Sequence, residues 1–379
     1  MSVEASEWRY PPITAGLVAQ IGRERVAPHA AECDALARFP HEGVSALAEA
    51  GLLALEGAPV TTTDLAMVAR TLGRSCGSTA MVWAMHYVQV ACVQRHCEDE
   101  PRVLELLAKL REGGGVMASV TSEKGIGGDL RRSFTACVTE GETSTVSKDA
   151  STISYGAHAD AFLITCRRDP DAVASDQVIV VADKSQVTLT PQGTWDPMGM
   201  RGTCSPPFLI EATVPSAQVL PVPFSDIAAL TMVPLSHILW SGVWLGLAEE
   251  ALSRATTFLR AKRKTNRADD DRRLALAETP LRLVRNTLAS VIDRYDNRNV
   301  VSIDADFTVE LNDLKLAAST LSIESAQMCL EILGIPGYQE RTPFSVARII
   351  RDLYSARLMI ANERLVATNS TLLMLNRSH

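Results

Sequence analysis

Two histidines occupy stretches where packing alone would ask for an apolar side chain. His86 lies in AMVWAMHYVQVA and His237 in PLSHILW. A neutral imidazole is a competent base near neutral pH, so each is a candidate proton acceptor. The plain alternative for either is a core histidine bonded to a backbone carbonyl. Ser236 precedes His237, but a hydroxyl cannot take a proton from carbon unaided. The hydroxyls of Thr121, Ser122 and Ser154 are available to hold a polar ligand. In strand-like surroundings their plain reading is a side chain turned to solvent or to a neighbour. GIGGD at 125–129 is rich in glycine. It opens no helix, so it is not a phosphate cradle of the helix-terminus kind, and taken alone it reads as a loop. KRK at 262–264 and the pair Arg131–Arg132 are short cationic runs. They suit solvated ends, or contacts to a phosphate-bearing small ligand.

Other chemistries are excluded by what is missing. No GxGxxG, P-loop, GxSxG or HExxH motif occurs. The eight cysteines form no CxxC, and no Cys/His set has zinc spacing. His96 and Cys97 are adjacent on one helix and point in different directions, so with Cys92 they make no metal site. Reduced cysteines in a cytoplasmic protein are the expectation. A net charge of -7 with no basic stripe argues against nucleic acid. The start, MSVEASEWRYPP, lacks the basic and apolar runs of a signal peptide. No window of about 20 apolar residues stands out, so no membrane span is expected.

These residues must be positioned by ordinary globular elements. Hydrophobic residues are 46% and charged residues 21%, which is neither disordered nor fibrous. At 379 residues, two or three structural regions are expected. Residues 13–112 carry apolar spacing of helical period, and STAMVWAMHYVQVACVQRHC is apolar nearly all round, as a buried central helix would be. From about 115 to 222 the runs are short and rich in Val, Ile, Thr and Phe, separated by Gly, Pro, Asp and Ser, which predicts strands. No helical pattern interrupts them, so a doubly wound nucleotide fold is excluded. From about 225 to 376 four long amphipathic stretches predict a four-helix bundle. The fold class is α+β, mostly α. The expected regions are a helical one at 1–114, an antiparallel, barrel-like β region at 115–224 and the bundle at 225–379.

Four segments, in this order, resemble the acyl-CoA dehydrogenase superfamily. They are MASVTSEKGIGGD (117–129), TISYGAHAD (152–160), WDPMGMRGTCS (195–205) and EILGIPGYQERTPFSVARIIRD (331–352). The third is the most specific of the set. The resemblance implies FAD, held partly by Thr121, Ser122, Gly128 and Ser154. It also implies cofactor contacts at Glu331 and Gly334, a cation at Arg263 or Lys262 that reaches the FAD pyrophosphate across a subunit interface, and a homodimer or homotetramer, because the bundle of this family buries a subunit interface. Trp195 is read as structural packing between the β region and the bundle. Arg201 is read as fixing its own loop through carbonyls, and Arg351–Asp352 as structural.

The sequence also departs from that family. Its catalytic glutamate falls on Ile360, and the alternative position falls on Ser236. Glu363 is nearly one helical turn from Ile360. His237 and His86 therefore stand as the candidate bases. The aromatic of the family's Arg-Lys-Thr-Phe-Gly is replaced near Asn266, its usual Gln is Glu331, and its flavin-covering Trp is Thr152. The resemblance implies oxidation of an acyl thioester, carried by coenzyme A or a carrier protein, with an electron-transfer flavoprotein as redox partner. A flavin monooxygenase on the same fold, with a flavin reductase and FMN possible, is the alternative, with His86 assisting. A non-catalytic flavin- or acyl-binding relative is the third.

Overall fold

The computed structural model describes residues 13–53, 60–97, 99–263, 271–297 and 304–375. Helix α1 (Ala15–Ile21) starts on Thr14, whose Oγ1 accepts from the Leu17 amide at 3.1 Å. It runs through a π-helical turn into α2 (Ala27–Ala35), followed by α3 (His41–Glu49). Thr61 and Asp64 form a reciprocal capping box on α4 (Thr62–Gly73). Helix α5 (Gly77–His96) is the buried helix that its all-round apolarity predicts. Helix α6 (Pro101–Gly113) ends on Gly114, whose φ of 62° suits a residue without Cβ.

Among the described residues the strands make two sheets. One has the order β1 (Met117–Val120), β4 (Ala161–Arg167), β5 (Gln177–Asp183). The other runs β2 (Val138–Glu140), β3 (Thr143–Ala150), β7 (Phe208–Pro215), β6 (Val187–Pro191). The pairings are antiparallel except β1 with β4, which pair in parallel from Met117–Ala161 to Val120–Ile164. The chain between β1 and β4 first builds the β2–β3 hairpin in the other sheet, and so supplies the long crossover that a parallel pair needs. β3 alternates exposed and buried residues, whereas Ala161–Cys166 of β4 is buried throughout. The wholly buried Lys148 of β3 joins the sheets, donating to Val120 O at 3.2 Å and Thr165 O at 2.7 Å. Burial lowers its pKa to about 8, against the pull of Glu123 at 3.9 Å.

A short helix, α7 (Phe224–Ile227), leads through a second π turn into α8 (Val233–Arg263). Helices α9 (Arg273–Asn297) and α10 (Ala305–Leu333) pack against α8. Then follow α11 (Ile335–Tyr338), α12 (Ala347–Tyr354) and α13 (Asn362–Leu375). The last long stretch is thus two helices, where its pattern predicts one. The break lies at Ile360, whose φ is +53°, costly for a β-branched residue. Its carbonyl is taken by Lys315 Nζ at 2.6 Å and is lost to the helical ladder.

One described helix, Phe224–Arg263, is long and apolar enough to cross a membrane, which amends the sequence reading. Within the protein 72% of its most apolar window is buried, as befits a core helix packed on α4, α9 and α10. Helix α4 crosses it in near backbone contact. A Cβ at Gly246 would lie 2.0 Å from Arg70 O, so only glycine permits this approach.

Candidate active site

The four sequence segments converge. Ser122 Oγ donates to Thr152 O at 2.6 Å and accepts from the Thr152 amide at 3.0 Å, which clamps the first segment to the second. The second meets the third where Ser205 Oγ donates to Ser154 Oγ at 3.0 Å and the Tyr155 amide donates to Thr203 O at 2.7 Å. The Met200 amide donates to Asp352 Oδ1 at 2.6 Å, which joins the third to the fourth. Arg351 bonds Asp34 of α2 at 2.6 Å and Met198 O at 3.0 Å. Arg201 donates to Asp34 O at 2.7 Å and Pro197 O at 2.8 Å. Asp352 is buried, and desolvation raises its pKa to about 6.

Of Thr121, Ser122 and Ser154, Thr121 has the longest hydroxyl contact. Its Oγ1 has one contact, a long 3.5 Å approach from Ser119 Oγ, and its own proton is unspent. The loop beyond it is anchored by Glu123, which accepts from Ser133 Oγ at 2.6 Å and from the Thr135 amide and hydroxyl at 2.8 Å each. Gly125, Gly127 and Gly128 all have positive φ, and Arg364 of α13 donates to Gly127 O. The glycine loop is therefore fastened to the helix that follows the Ile360 break.

His237 lies in the seam between α8 and α10, wholly buried. Its Nδ1 stands 3.0 Å from Leu311 O, so Nδ1 carries the proton and donates it. That leaves the lone pair on Nε2, which is buried without a partner among the described residues. Burial pushes the imidazole down to about 4, although the Leu311 carbonyl works the other way and the charge of Lys315 adds to the fall. Ser236 is buried one position earlier.

Lys315 sits four residues beyond Leu311 on α10. Its Nζ donates to Ile360 O and to Asn362 Oδ1, each at 2.6 Å, and lies 5.8 Å from the Trp244 ring centroid. Asn362 in turn donates to Ser319 Oγ at 3.0 Å. Burial pushes the ammonium down to about 8. Among the described residues no carboxylate pairs with it. Sequence reasoning did not single out this lysine. Its signal was there, because it interrupts the apolar stripe of Leu311, Leu314 and Ala318.

His86 is placed differently. Its Nδ1 accepts from the Met117 amide at 3.0 Å and its Nε2 bonds Leu53 O at 3.0 Å. Both nitrogens are used in tying α5 to β1 and to the chain after α3. Burial lowers its pKa to about 4.

Arg263, Glu331 and Gly334 occupy another end of the bundle. Arg273 donates to Glu331 O at 3.1 Å, and Gly334 terminates α10 with a φ of 61°. Arg263 ends α8, about 39 Å along the axis from His237 at about 1.5 Å per residue. Asn266 lies outside the described residues.

The match to known proteins follows this geometry. Acyl-CoA dehydrogenase, N-terminal domain, matches residues 15–103, and acyl-CoA dehydrogenase, C-terminal domain, matches residues 228–359. The chain belongs to the acyl-CoA dehydrogenase superfamily. Members are flavin-dependent oxidoreductases that use FAD. A probable acyl-CoA dehydrogenase of Bacillus subtilis is 22% identical, with 92% of each chain covered. Butyryl-CoA dehydrogenase from Megasphaera elsdenii shares the fold, with a TM-score of 0.80 at 18% identity over 95% of this chain and 97% of that one. So does dibenzothiophene monooxygenase from Paenibacillus sp. A11-2, with a TM-score of 0.80 at 16% identity over 96% and 97%. The notional position of the family's glutamate is Ile360, at the break, and His237 is a buried base with a free lone pair among the described residues.

Proposed function

We propose that this chain oxidises the Cα–Cβ bond of an acyl thioester, carried by coenzyme A or a carrier protein, with His237 as the base. The observation that carries this reading is the imidazole itself. It is fixed by Leu311 in the tautomer that frees Nε2, and Nε2 is buried with nothing bonded to it. A bound FAD would supply the hydride acceptor, at N5. The residues fit such a ring: Thr121 has an unspent donor, and the Ser122–Thr152 and Ser154–Ser205 bonds hold the neighbouring backbone rigid. His237 takes the α proton at Nε2. Negative charge then grows on the thioester oxygen, and the Lys315 ammonium stabilises it without reorganising.

Arg263, Glu331 and Gly334 are too far from His237 to serve the same flavin, so we assign them to the flavin of a second copy in a homodimer or homotetramer. Electrons would leave to an electron-transfer flavoprotein. The test is anaerobic mixing of the flavin-loaded protein with acyl thioesters. Bleaching of the oxidised flavin band without added reductant, lost in His237→Gln, is the expected result. No bleaching with any thioester would refute the dehydrogenase. A monooxygenase is the second reading, favoured by the missing carboxylates at Ile360 and Ser236. It predicts turnover only with reduced flavin and O2. With both its nitrogens engaged, His86 offers that reaction no free group.

A further inference from the structure

Helix α8 presents residues 237, 240, 241 and 244 on one face, since they follow the spacing i, i+3, i+4, i+7. Each carries a buried polar atom without a partner: His237 Nε2, Trp240 Nε1, Ser241 Oγ and Trp244 Nε1. Trp240 is half-buried as a residue, but its indole nitrogen is sealed from solvent. The face meets α10 at His237 with Leu311 and at Trp244 with Lys315. Ser322, three turns beyond Leu311 on α10, also has a buried hydroxyl without a partner. Orphaned buried polar groups are rare and each is costly. Five on one helix seam are not incidental to packing.

The donors there exceed the acceptors. Two indole N–H groups only donate, two hydroxyls can donate, and the imidazole lone pair alone must accept. The ammonium of Lys315 adds positive charge. A plain hydrocarbon would leave every one of these groups unsatisfied. We propose that the seam is the wall that reads the acyl group, and that this group carries oxygen acceptors beyond its β-carbon, as a hydroxy- or keto-acyl chain does. This rests on the acyl-thioester reading above. His237 marks the reacting carbons, and Trp240 and Trp244 lie about 4.5 Å and about 10.5 Å further along α8.

The experiment is calorimetric titration of the oxidised holoenzyme under anaerobic conditions, at a temperature where turnover is negligible. The probes are hexanoyl-CoA and hydroxyhexanoyl-CoA isomers with the hydroxyl beyond the β-carbon. The wild type should bind at least one hydroxylated isomer about tenfold tighter than hexanoyl-CoA, roughly one to two recovered hydrogen bonds. Trp240→Phe and Trp244→Phe keep most of the ring and lose the donor. Together they should bring the ratio of the two affinities to within about twofold. Ser241→Ala, a smaller change, should narrow it part-way. Equal wild-type affinity for the hydroxylated and plain chains overturns the proposal without recourse to any variant. So does a preference that survives all three substitutions, which would mean that water satisfies the seam. Failure of every thioester to bind would overturn the acyl-thioester reading itself, a result distinct from binding without preference.

Discussion

Replacing Lys315 by methionine should change how stability depends on pH, and the size of the change follows from its burial. Unfolded, the side chain has the ordinary lysine value of 10.5, and folded its value is about 8. Between these values the unfolded chain holds a proton that the folded chain has shed, so stability rises with pH. Below about 8 both states are protonated and the folded protein bears the full cost of a buried cation. Above 10.5 both are neutral and the cost is gone. A shift of this size corresponds to about 3 kcal/mol. Methionine cannot titrate, and it also leaves Ile360 O and Asn362 Oδ1 without their donor. That loss, about 1–3 kcal/mol for each acceptor, is independent of pH. The difference between wild type and variant should therefore grow by about 3 kcal/mol in favour of the wild type from about pH 7 to about pH 10.5. Unfolding entropy for a chain of this length is about 0.8 kcal/mol/K, so the gap in Tm should widen by about 4 °C. Thermal melts of both proteins by circular dichroism across this range measure it, and groups common to the two cancel. A Tm gap that stays constant with pH would refute the claim that Lys315 is held as a desolvated ammonium.

Four further outcomes are expected. If His237 is the base, kcat/KM should hold level through neutrality and fall on the acid side only towards pH 4, because the imidazole must be unprotonated; a limb at the ordinary histidine value would contradict it. His86→Phe should destabilise the protein by about 2–5 kcal/mol in urea denaturation, because two buried backbone groups lose their partner, while the shape of the pH–rate profile is unchanged. Gly199→Ala would place a Cβ 2.1 Å from Arg351 O, and should cut the soluble, flavin-loaded yield severely as the WDPMGMRGTCS loop is forced off α12. Ile360→Glu gives Lys315 a counter-charge, raises its pKa and should flatten the alkaline rise in stability seen in the same melts.

The sequence showed the elements better than their interruptions. α5 was legible because apolar residues surround it, and the strands because Val, Ile and Thr cluster between turn residues. The β1–β4 parallel pairing was not legible, because a strand's own residues do not say which partner its edge will meet across a long crossover. The break at Ile360 was hidden for a similar reason. Residues 347–375 keep a helical pattern throughout, and the group that draws the Ile360 carbonyl out of the ladder is Lys315, 45 residues earlier. At the site, the segments holding Thr121, Ser122 and Ser154 were legible as motifs. The state of each histidine was not. His86 and His237 both read as imidazoles in apolar helices, and both have pKa values near 4. They differ in one bond: the Met117 amide occupies the second nitrogen of His86, and nothing occupies that of His237.

That difference sets the charge balance of the proposed reaction. A carboxylate at position 360 would stand on the residue whose carbonyl Lys315 binds, and would offset its charge. With isoleucine there, the buried ammonium has no counter-ion among the described residues, and the proposed base is a neutral imidazole. The site starts with one buried positive charge and no carboxylate at position 360 or 236. A neutral base is easier to bury, but proton transfer makes it a second cation close to the first. The step is then favourable only if an equal negative charge develops nearby at the same time. The thioester oxygen provides that charge as the α proton leaves. Burial, with a smaller contribution from the charge of Lys315, opposes a charged His237, and so ties protonation of the base to the presence of a substrate that can carry the compensating charge.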